Sequence, residues 1–266
     1  MNGTILSPLV VLDAAGPIGG GVVAAAVAAH WPLVAVDSDP AALRVLAAAY
    51  PQAALTLLQG CARDEATAAK LSAALRSLDL PLGGVIAAVD GELLRGRLLD
   101  LPVDASCRRF EAALAPQLAA ARHLLPLLAD GGRGAGYVLV GGPGGVNPWA
   151  GYGHPSVTEA ALRMLARVLH GEARPLGVRV QLLSLDTPAW GVHAGLPRAD
   201  WPSALDIGRH ALELFGPGAP TDAIVEFSTR RAAVDRHDIS TPGSDQRDAR
   251  ALPGTVSNTS HHEVSP

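Results

Sequence analysis

Short apolar runs alternate along the chain with longer stretches of helical composition. Each apolar run has the length of a buried strand, and each intervening stretch has the length of a helix. This alternation predicts a single α/β domain, with a doubly wound parallel sheet of about seven strands and helices on both faces. The predicted strands span residues 9–12, 33–37, 55–59, 82–91, 137–140, 177–186 and 222–227.

The alternating pattern ends near residue 230 of the 266-residue chain. Residues 231–266 are rich in Asp, Arg, Ser and His and carry few large apolar side chains. Such a segment buries too little apolar surface to offset the conformational entropy lost on ordering. We therefore predict one domain over residues 1–230 and a flexible C-terminal tail over residues 231–266.

Composition narrows the classes of function. A net charge of −4 without a dense basic cluster argues against nucleic acid as a partner. Neither a basic leader nor an apolar run of membrane-spanning length is present, so we expect a cytoplasmic protein without a membrane partner. No metal site is predicted, because Cys61 and Cys107 match no metal spacing and the adjacent His261 and His262 lack a third ligand.

The first predicted strand leads into a glycine-containing turn and an alanine-rich helix. This order begins a Rossmann-like unit, in which backbone N–H groups at the helix N-terminus favour a phosphate. Gly16, Ile18 and Gly19 are the candidate cofactor-binding residues of the turn. The alternative interpretation is that the turn persists because packing of the strand against the helix requires it.

Asp37 ends the second predicted strand. Rossmann proteins place an acidic residue there to bind the adenine-ribose 2′-hydroxyl, which favours NAD over NADP if any dinucleotide binds. Asp37 and Asp39 also form a typical capping turn ahead of a helix at residues 41–50. Both interpretations of Asp37 remain open.

Residues 136–174 contain a strand, a Gly/Pro-rich loop and a helix, and a further strand follows. This order resembles the catalytic half of the short-chain dehydrogenase/reductase (SDR) family, and the order of elements resembles that family over about residues 5–230. The family uses a serine after the fifth strand, a Tyr-x-x-x-Lys motif on the next helix and an asparagine on the preceding one. The resemblance implies a degenerate member that lacks these catalytic groups. The matching positions hold Gly142, Pro155, Glu159 and Ala115.

The family's first turn reads Thr-Gly-x-x-x-Gly-x-Gly. Here only the last of these glycines, Gly19, is kept, and Asp13 and Pro17 replace the other two. The resemblance also implies that four carboxylates border the dinucleotide cleft, where they would repel a dianionic cofactor, so we assign no cofactor. These four residues are Asp13, Asp90, Glu159 and Asp186.

The first of three functional hypotheses is a non-catalytic or accessory subunit. Such a protein would pair with itself or with an active dehydrogenase, or hold a small-molecule ligand. SDR proteins associate through two long helices, matched here by residues 108–128 and 156–172. The second of these helices has an apolar face that an intramolecular core would equally explain. This face consists of Leu162, Leu165, Ala166, Val168 and Leu169.

The second hypothesis is a non-redox enzyme, such as an isomerase, dehydratase or cyclase, working in the former SDR pocket. Tyr152, His154 and Glu159 would then be the acid/base candidates. The alternative for His154 is a solvated residue in a capping loop. The third hypothesis is an atypical NAD-dependent oxidoreductase using Tyr152. It is disfavoured because a phenol with a pKa of about 10 and no lysine partner is a poor acid/base at neutral pH.

Overall fold

One parallel sheet organises the protein. The computed structural model describes residues 7–88, 95–132, 134–189 and 201–227. In these residues, seven parallel strands form a sheet in the order β3-β2-β1-β4-β5-β6-β7. The strands are β1 (Leu9–Leu12), β2 (Leu33–Asp37), β3 (Leu55–Gln59), β4 (Gly84–Ala87), β5 (Gly136–Gly141), β6 (Arg179–Leu185) and β7 (Ile224–Phe227).

Helices cover both faces of this sheet. Helices α1, α2 and α6 contribute to the hydrophobic core on one face, and α3, α4 and α5 contribute to the core on the other. Side chains of a strand alternate between the two faces, so β1 sends Leu9 and Val11 into one core and Val10 and Leu12 into the other. The helices are α1 (Pro17–Ala28), α2 (Pro40–Ala49), α3 (Glu65–Arg76), α4 (Val103–Asp130), α5 (Gly153–Ala173) and α6 (Ala204–Glu213).

Helices α1 and α6 approach each other through glycines. A Cβ on Gly21 would lie 2.2 Å from the carbonyl oxygen of Ala204, and a Cβ on Gly208 would lie 2.5 Å from that of Gly21. The obstructing atoms belong to backbone, which cannot rotate away as a side chain can. Both glycines are therefore required for α6 to pack on α1.

The strand order places the cleft. The order reverses between β1 and β4, and in open α/β sheets ligands bind beyond the carboxyl ends of the strands at such a switch point. The turn from β1 to α1 lies on one side of this point and the loop from β5 to α5 on the other. These two connections therefore carry the candidate site.

The predicted fold is confirmed, with shifted element ends. Helix α5 begins at Gly153, three residues before its predicted start, so that Pro155 lies in its first turn. Helix α4 is longer than predicted and includes Pro116 and Pro126. The predicted tail at residues 231–266 lies outside the described residues and stays a prediction.

The apolar face of α5 divides between core and surface. Leu162, Ala166 and Leu169 are buried in the core, as the intramolecular interpretation expects. Val168 is 47% exposed and Met164 is 56% exposed. The helix therefore has a second, solvent-facing apolar surface that the core does not use.

Candidate functional site

The loop from β5 to α5 is held closely against the helix. Gly144 has a φ of +102°, a conformation that side chains disfavour, and a Cβ there would lie 2.9 Å from the hydroxyl oxygen of Ser156. Ser156 Oγ accepts a hydrogen bond from the Trp149 N–H at 2.9 Å and donates one to the Tyr152 carbonyl at 2.8 Å. This buried serine fixes the loop to the helix that carries the candidate residues.

Glu159 lies over the end of β5. A Cβ on Gly141 would lie 2.8 Å from one oxygen of the Glu159 carboxylate, and a Cβ on Gly142 would lie 3.2 Å from the other. The carboxylate therefore crowds the space that a serine side chain would need at position 142. The changes at Gly142 and Glu159 relative to the SDR pattern are thus spatially coupled.

Tyr152 precedes α5 and is held by its neighbours. Its ring stacks on Trp149, with ring centroids 3.9 Å apart and an angle of 15° between the planes. The Gly96 N–H donates to the Gly151 carbonyl at 2.7 Å, and the Gly153 N–H donates to the Gly96 carbonyl at 3.1 Å. The chain before α4 is thereby joined to the start of α5, and the tyrosine is fixed beside this junction.

His154 is a core residue. Only 4% of it is exposed, and its ring centroid lies 5.5 Å from that of Phe110 on α4. Among the described residues, neither ring nitrogen has a hydrogen-bond partner. The interpretation of His154 as a solvated loop residue is therefore wrong, because burial against α4 removes the ring from water.

The three acid/base candidates have different surroundings. His154 and Glu159 are separated by five positions on α5, which places them about 140° apart around the helix. His154 contacts α4, Glu159 covers the end of β5, and Tyr152 stacks on the preceding loop. His154 and Glu159 therefore lie on different sides of the helix, and the catalytic roles of all three residues stay predictions.

The position that matches the family's asparagine on α4 lies on a groove. Ala115 lines this groove of about 570 Å³ together with residues of α4, the end of α5 and the start of α3. Two positions further along α4, Gln117 is 3% exposed and places an amide in the interior. Gln117 could not be identified from the sequence, because a single glutamine in an apolar helix has no characteristic spacing.

Arg163 is a second residue that the sequence pattern did not identify. Its guanidinium donates a hydrogen bond to the Ser184 hydroxyl at 2.7 Å and pairs with Glu226 at 2.7 Å, and 12% of its side chain is exposed. It ties α5 to β6 and β7 beside the candidate loop. The sequence could have indicated a role for Arg163 beside Glu159, because it lies four residues after Glu159 and therefore on the same side of the helix.

The turn after β1 keeps a glycine-like backbone at a residue that is not glycine. Asp13 has a φ of +55°, in the left-handed region. A Cβ on Gly16 would lie 2.3 Å from Asp13 Oδ2, and a Cβ on Gly19 would lie 2.0 Å from the Asp13 carbonyl oxygen. Gly19 is thus required by the close approach of helix and turn, and Ile18 is buried in the core at 3% exposure. This geometry supports the packing interpretation of the turn.

Asp37 uses both carboxylate oxygens within the fold. Oδ2 accepts a hydrogen bond from the Ala15 N–H at 3.1 Å, and Oδ1 accepts one from the Asp39 N–H at 2.9 Å. Asp39 in turn caps α2 by accepting from the Ala41 N–H at 2.7 Å. The predicted capping turn is confirmed, and the binding of a ribose by Asp37 stays a prediction.

An arginine compensates part of the negative charge at this end of the cleft. Burial raises the pKa of Asp13, the neighbouring carboxylate of Asp37 raises it further, and Arg63 opposes both. The Arg63 guanidinium also donates to the Ser38 hydroxyl at 3.3 Å. The sequence analysis missed Arg63, although the loop after β3 comes to the same sheet edge as the ends of β1 and β2.

An adenine dinucleotide is the group that this fold implies, and the first turn does not fit it. A dinucleotide pyrophosphate normally lies against N–H groups at the helix N-terminus. Pro17 occupies the first helical position and has no N–H to donate. The Asp13 carboxylate lies over Gly16 and near Asp37, so an incoming phosphate would meet like charge.

The other carboxylates expected at the cleft are less informative. Asp186 is exposed just beyond the end of β6, and Asp90 lies outside the described residues.

Within residues 7–88, 95–132, 134–189 and 201–227, no group of three or more His, Cys, Asp or Glu side chains is arranged to hold a metal ion. In the same ranges, no helix combines the length and hydrophobicity needed to cross a bilayer.

Comparison with known proteins identifies the fold. No protein-family model and no curated protein sequence matches the chain. An SDR-family oxidoreductase from Burkholderia thailandensis is 23% identical with a TM-score of 0.71, over 89% of this chain and 98% of that one. A short-chain dehydrogenase from Streptomyces avermitilis is 18% identical with a TM-score of 0.69, over 88% and 96%.

A third similar structure comes from Pseudomonas aeruginosa PAO1. It is the NADPH-bound form of a short-chain oxidoreductase containing an atypical catalytic center, and it is 18% identical with a TM-score of 0.73, over 84% of this chain and 95% of that one. These matches show that the chain has the SDR fold, as the sequence resemblance implied. At such identities the similarity establishes the fold and leaves the activity to be argued from the site.

Proposed function

We propose that this SDR-like chain is a non-catalytic subunit that acts by pairing, either with a second copy or with an active SDR-type dehydrogenase. The Glu159 carboxylate over Gly141 and Gly142 is the observation that carries the loss of catalysis. A carboxylate in place of the lysine cation cannot lower the pKa of a neighbouring hydroxyl, because like charge disfavours its ionised form. Pro155 supplies no proton at the tyrosine position.

The solvent-facing side of α4 and α5 supports pairing. We call this surface the α4–α5 face and define it by Leu118 on α4, by Val157, Met164 and Val168 on α5, and by Leu176 in the turn that follows α5, each between 42% and 56% exposed. Exposed apolar patches of this kind mark interaction sites more often than isolated exposed residues do. At 1.5 Å per residue, the 28 residues of α4 and 21 of α5 extend about 42 and 32 Å, enough for an interface of standard size.

Sedimentation of a charge-substituted variant tests the pairing. We expect the wild-type chain to sediment as a dimer at micromolar concentration and the double variant M164E/V168E to sediment as a monomer, because the new carboxylates would be buried unpaired. Val45→Glu is the matched control, since Val45 is 72% exposed on α2 at the opposite face of the sheet. A monomeric wild-type chain would contradict self-pairing and direct the test to an active dehydrogenase subunit.

An activity assay tests the loss of catalysis. We expect no oxidation of NADH or NADPH with a panel of ketones and aldehydes above the rate without protein. Reproducible turnover by the purified chain would contradict the proposal. The atypical catalytic center of the NADPH-bound Pseudomonas protein is the reason to include both reduced cofactors.

A non-redox enzyme is the second candidate function. It is favoured by the position of Glu159, whose carboxylate covers the place where the family's serine would hold a substrate oxygen. A carboxylate there is a candidate general base, and Tyr152, half-buried beside the loop, is a candidate acid. A small molecule whose conversion is lost in Glu159→Gln and kept in the exposed control Glu172→Gln would establish this function.

The cytoplasmic location and the binding of a small-molecule ligand by the chain stay predictions.

A further inference from the structure

We propose that the Asp13 side chain closes the first turn to an adenine dinucleotide, and that glycine at this position reopens it, since Pro17 removes only one of the N–H groups at the helix N-terminus. The proposal deepens the proposed function, because it explains how a chain with the SDR fold excludes the cofactor of that fold. It concerns binding and is independent of the altered catalytic positions at the other end of the cleft.

The backbone at Asp13 is already suited to glycine. Its φ of +55° lies in the left-handed region, which glycine adopts without steric cost and other L-residues adopt with difficulty. The substitution Asp13→Gly therefore removes a side chain and leaves the turn in its preferred conformation. The backbone conformation at this position is therefore compatible with glycine.

The side chain lies where it obstructs the turn. The carboxylate reaches over Gly16, the residue that precedes α1, closely enough to leave no room for a Cβ there. In a dinucleotide-binding turn, glycine makes the tight turn possible and lets the backbone approach the pyrophosphate. The Asp13 carboxylate thus fills the space that an approaching phosphate needs and places a second negatively charged group there.

The surrounding charges do not cancel this obstruction. Asp37 is held near Asp13 by its hydrogen bonds to the Ala15 and Asp39 N–H groups, so the two carboxylates share one region of the cleft. Arg63 is the cation that acts on Asp13, and its guanidinium is also bound to Ser38. Among the described residues that act on Asp13, one arginine faces two carboxylates, and this excess of negative charge opposes a further anion.

Titration with NADH and NADPH tests the proposal. Wild type, Asp13→Gly and Asp13→Asn are titrated separately with each nucleotide, and both nicotinamide fluorescence and thermal stabilisation are recorded. We expect Asp13→Gly to bind at least one of them no less than tenfold more tightly than the wild type. Asp13→Asn should be intermediate, because it removes the charge and keeps the volume.

Asp79→Gly is the matched control. Asp79 is exposed beyond the end of α3 and has a φ of +51°, so the variant makes the same substitution at the same type of backbone without touching the cleft. It should bind NADH and NADPH as the wild type does. A gain in the control equal to that in Asp13→Gly would overturn the proposal, because relief of backbone strain would then explain both.

Two further outcomes would also overturn it. One is a wild-type chain that binds as tightly as Asp13→Gly. The other is a folded Asp13→Gly, verified by circular dichroism, that binds no better than the wild type. The proposed function fails by a different result, namely turnover of NADH or NADPH by the wild-type chain, so the two failures are distinguishable.

Discussion

Two pairs of glycines in this protein are crowded by different kinds of atom. At the contact between α1 and α6, a Cβ on Gly21 or Gly208 would collide with the backbone of the facing helix. In the cleft, a Cβ on Gly16 or Gly142 would come nearest to a carboxylate oxygen, from Asp13 or Glu159. Gly21 and Gly208 allow the two helices to pack. Gly16 and Gly142 each lie beside an acidic side chain. The SDR pattern has glycine in place of Asp13 and lysine in place of Glu159.

The two pairs of glycines therefore have different roles: one pair is required for the fold, and the other lies where the cleft departs from the SDR pattern. The backbone contact between α1 and α6 has no substitute, because no rearrangement of side chains relieves it. The carboxylates of Asp13 and Glu159 are the ends of flexible side chains. They lie in space that is open because the adjacent residues are glycines. The scaffold therefore preserves the SDR architecture, while a carboxylate lies at each of the two turns that border the cleft.

The largest effect is expected from alanine at the helix contact. We expect Gly21→Ala to lower the free energy of unfolding by about 3 kcal/mol, because a Cβ would lie 2.2 Å from the Ala204 carbonyl oxygen and the helices would have to separate. Urea denaturation monitored by circular dichroism measures this change.

The neighbouring glycine provides the control. A Cβ on Gly20 would find its nearest neighbour, the Ala14 carbonyl oxygen, at 3.9 Å. Gly20→Ala should therefore be neutral or stabilise by up to about 1 kcal/mol, since alanine is the better helix former. Equal effects of the two substitutions would show that helix propensity, and not the contact with α6, sets the result.

A smaller effect is expected at the coupled pair in the cleft. Gly142→Ala places a Cβ 3.2 Å from a Glu159 carboxylate oxygen, so the glutamate must shift. We expect Gly142→Ala to be more costly in the wild type than in a Glu159→Ala background, with a coupling free energy of about 0.5 to 1 kcal/mol. Unfolding free energies of the two single variants and the double variant measure this coupling.

The same cycle with Glu172→Ala tests its specificity. Glu172 is exposed near the end of α5, remote from Gly142, and additive effects are expected there. Additivity between Gly142 and Glu159 as well would contradict the spatial coupling of the two altered positions.

The fold was predictable because its signals are local and repeated. Apolar runs of strand length and the helices between them recur along the chain, and β1, β2 and β3 match their predicted bounds. The need for glycine at position 19 and the capping turn at Asp39 were also predictable, because each depends on local backbone geometry. The ends of α4 and α5 were less predictable: α4 begins five residues before its predicted start at 108, and α5 begins three residues before its predicted start at 156.

The site was predictable only in its altered positions. The sequence identified Asp13, Gly142 and Glu159 by comparison with a pattern, but it could not show that a carboxylate covers a glycine. The burial of His154 depends on how α4 crosses α5, and the contribution of Arg63 depends on the order of strands in the sheet. Such contacts between distant segments have no signature in a single sequence.

The smallest effect is expected in the pH dependence of stability at Asp13. The pKa of Asp13 is raised in the folded protein above its usual value of 3.8, by burial and by Asp37, with Arg63 in opposition. Between the unfolded and folded pKa values the folded state binds more protons, so stability falls as the pH rises through this interval. Asp13→Asn cannot titrate and should avoid this loss.

Urea unfolding of wild type and Asp13→Asn between pH 4 and pH 7 measures the difference. We expect the advantage of Asp13→Asn to grow from pH 4 upward and to level off above the folded pKa, and to stay small because the side chain is only partly buried. Asp79→Asn repeats the substitution at an exposed left-handed residue and should not reproduce the trend. An advantage that is constant with pH would show that the carboxylate charge is not destabilising, and the charge component of the obstruction at the first turn would have to be abandoned in favour of volume alone.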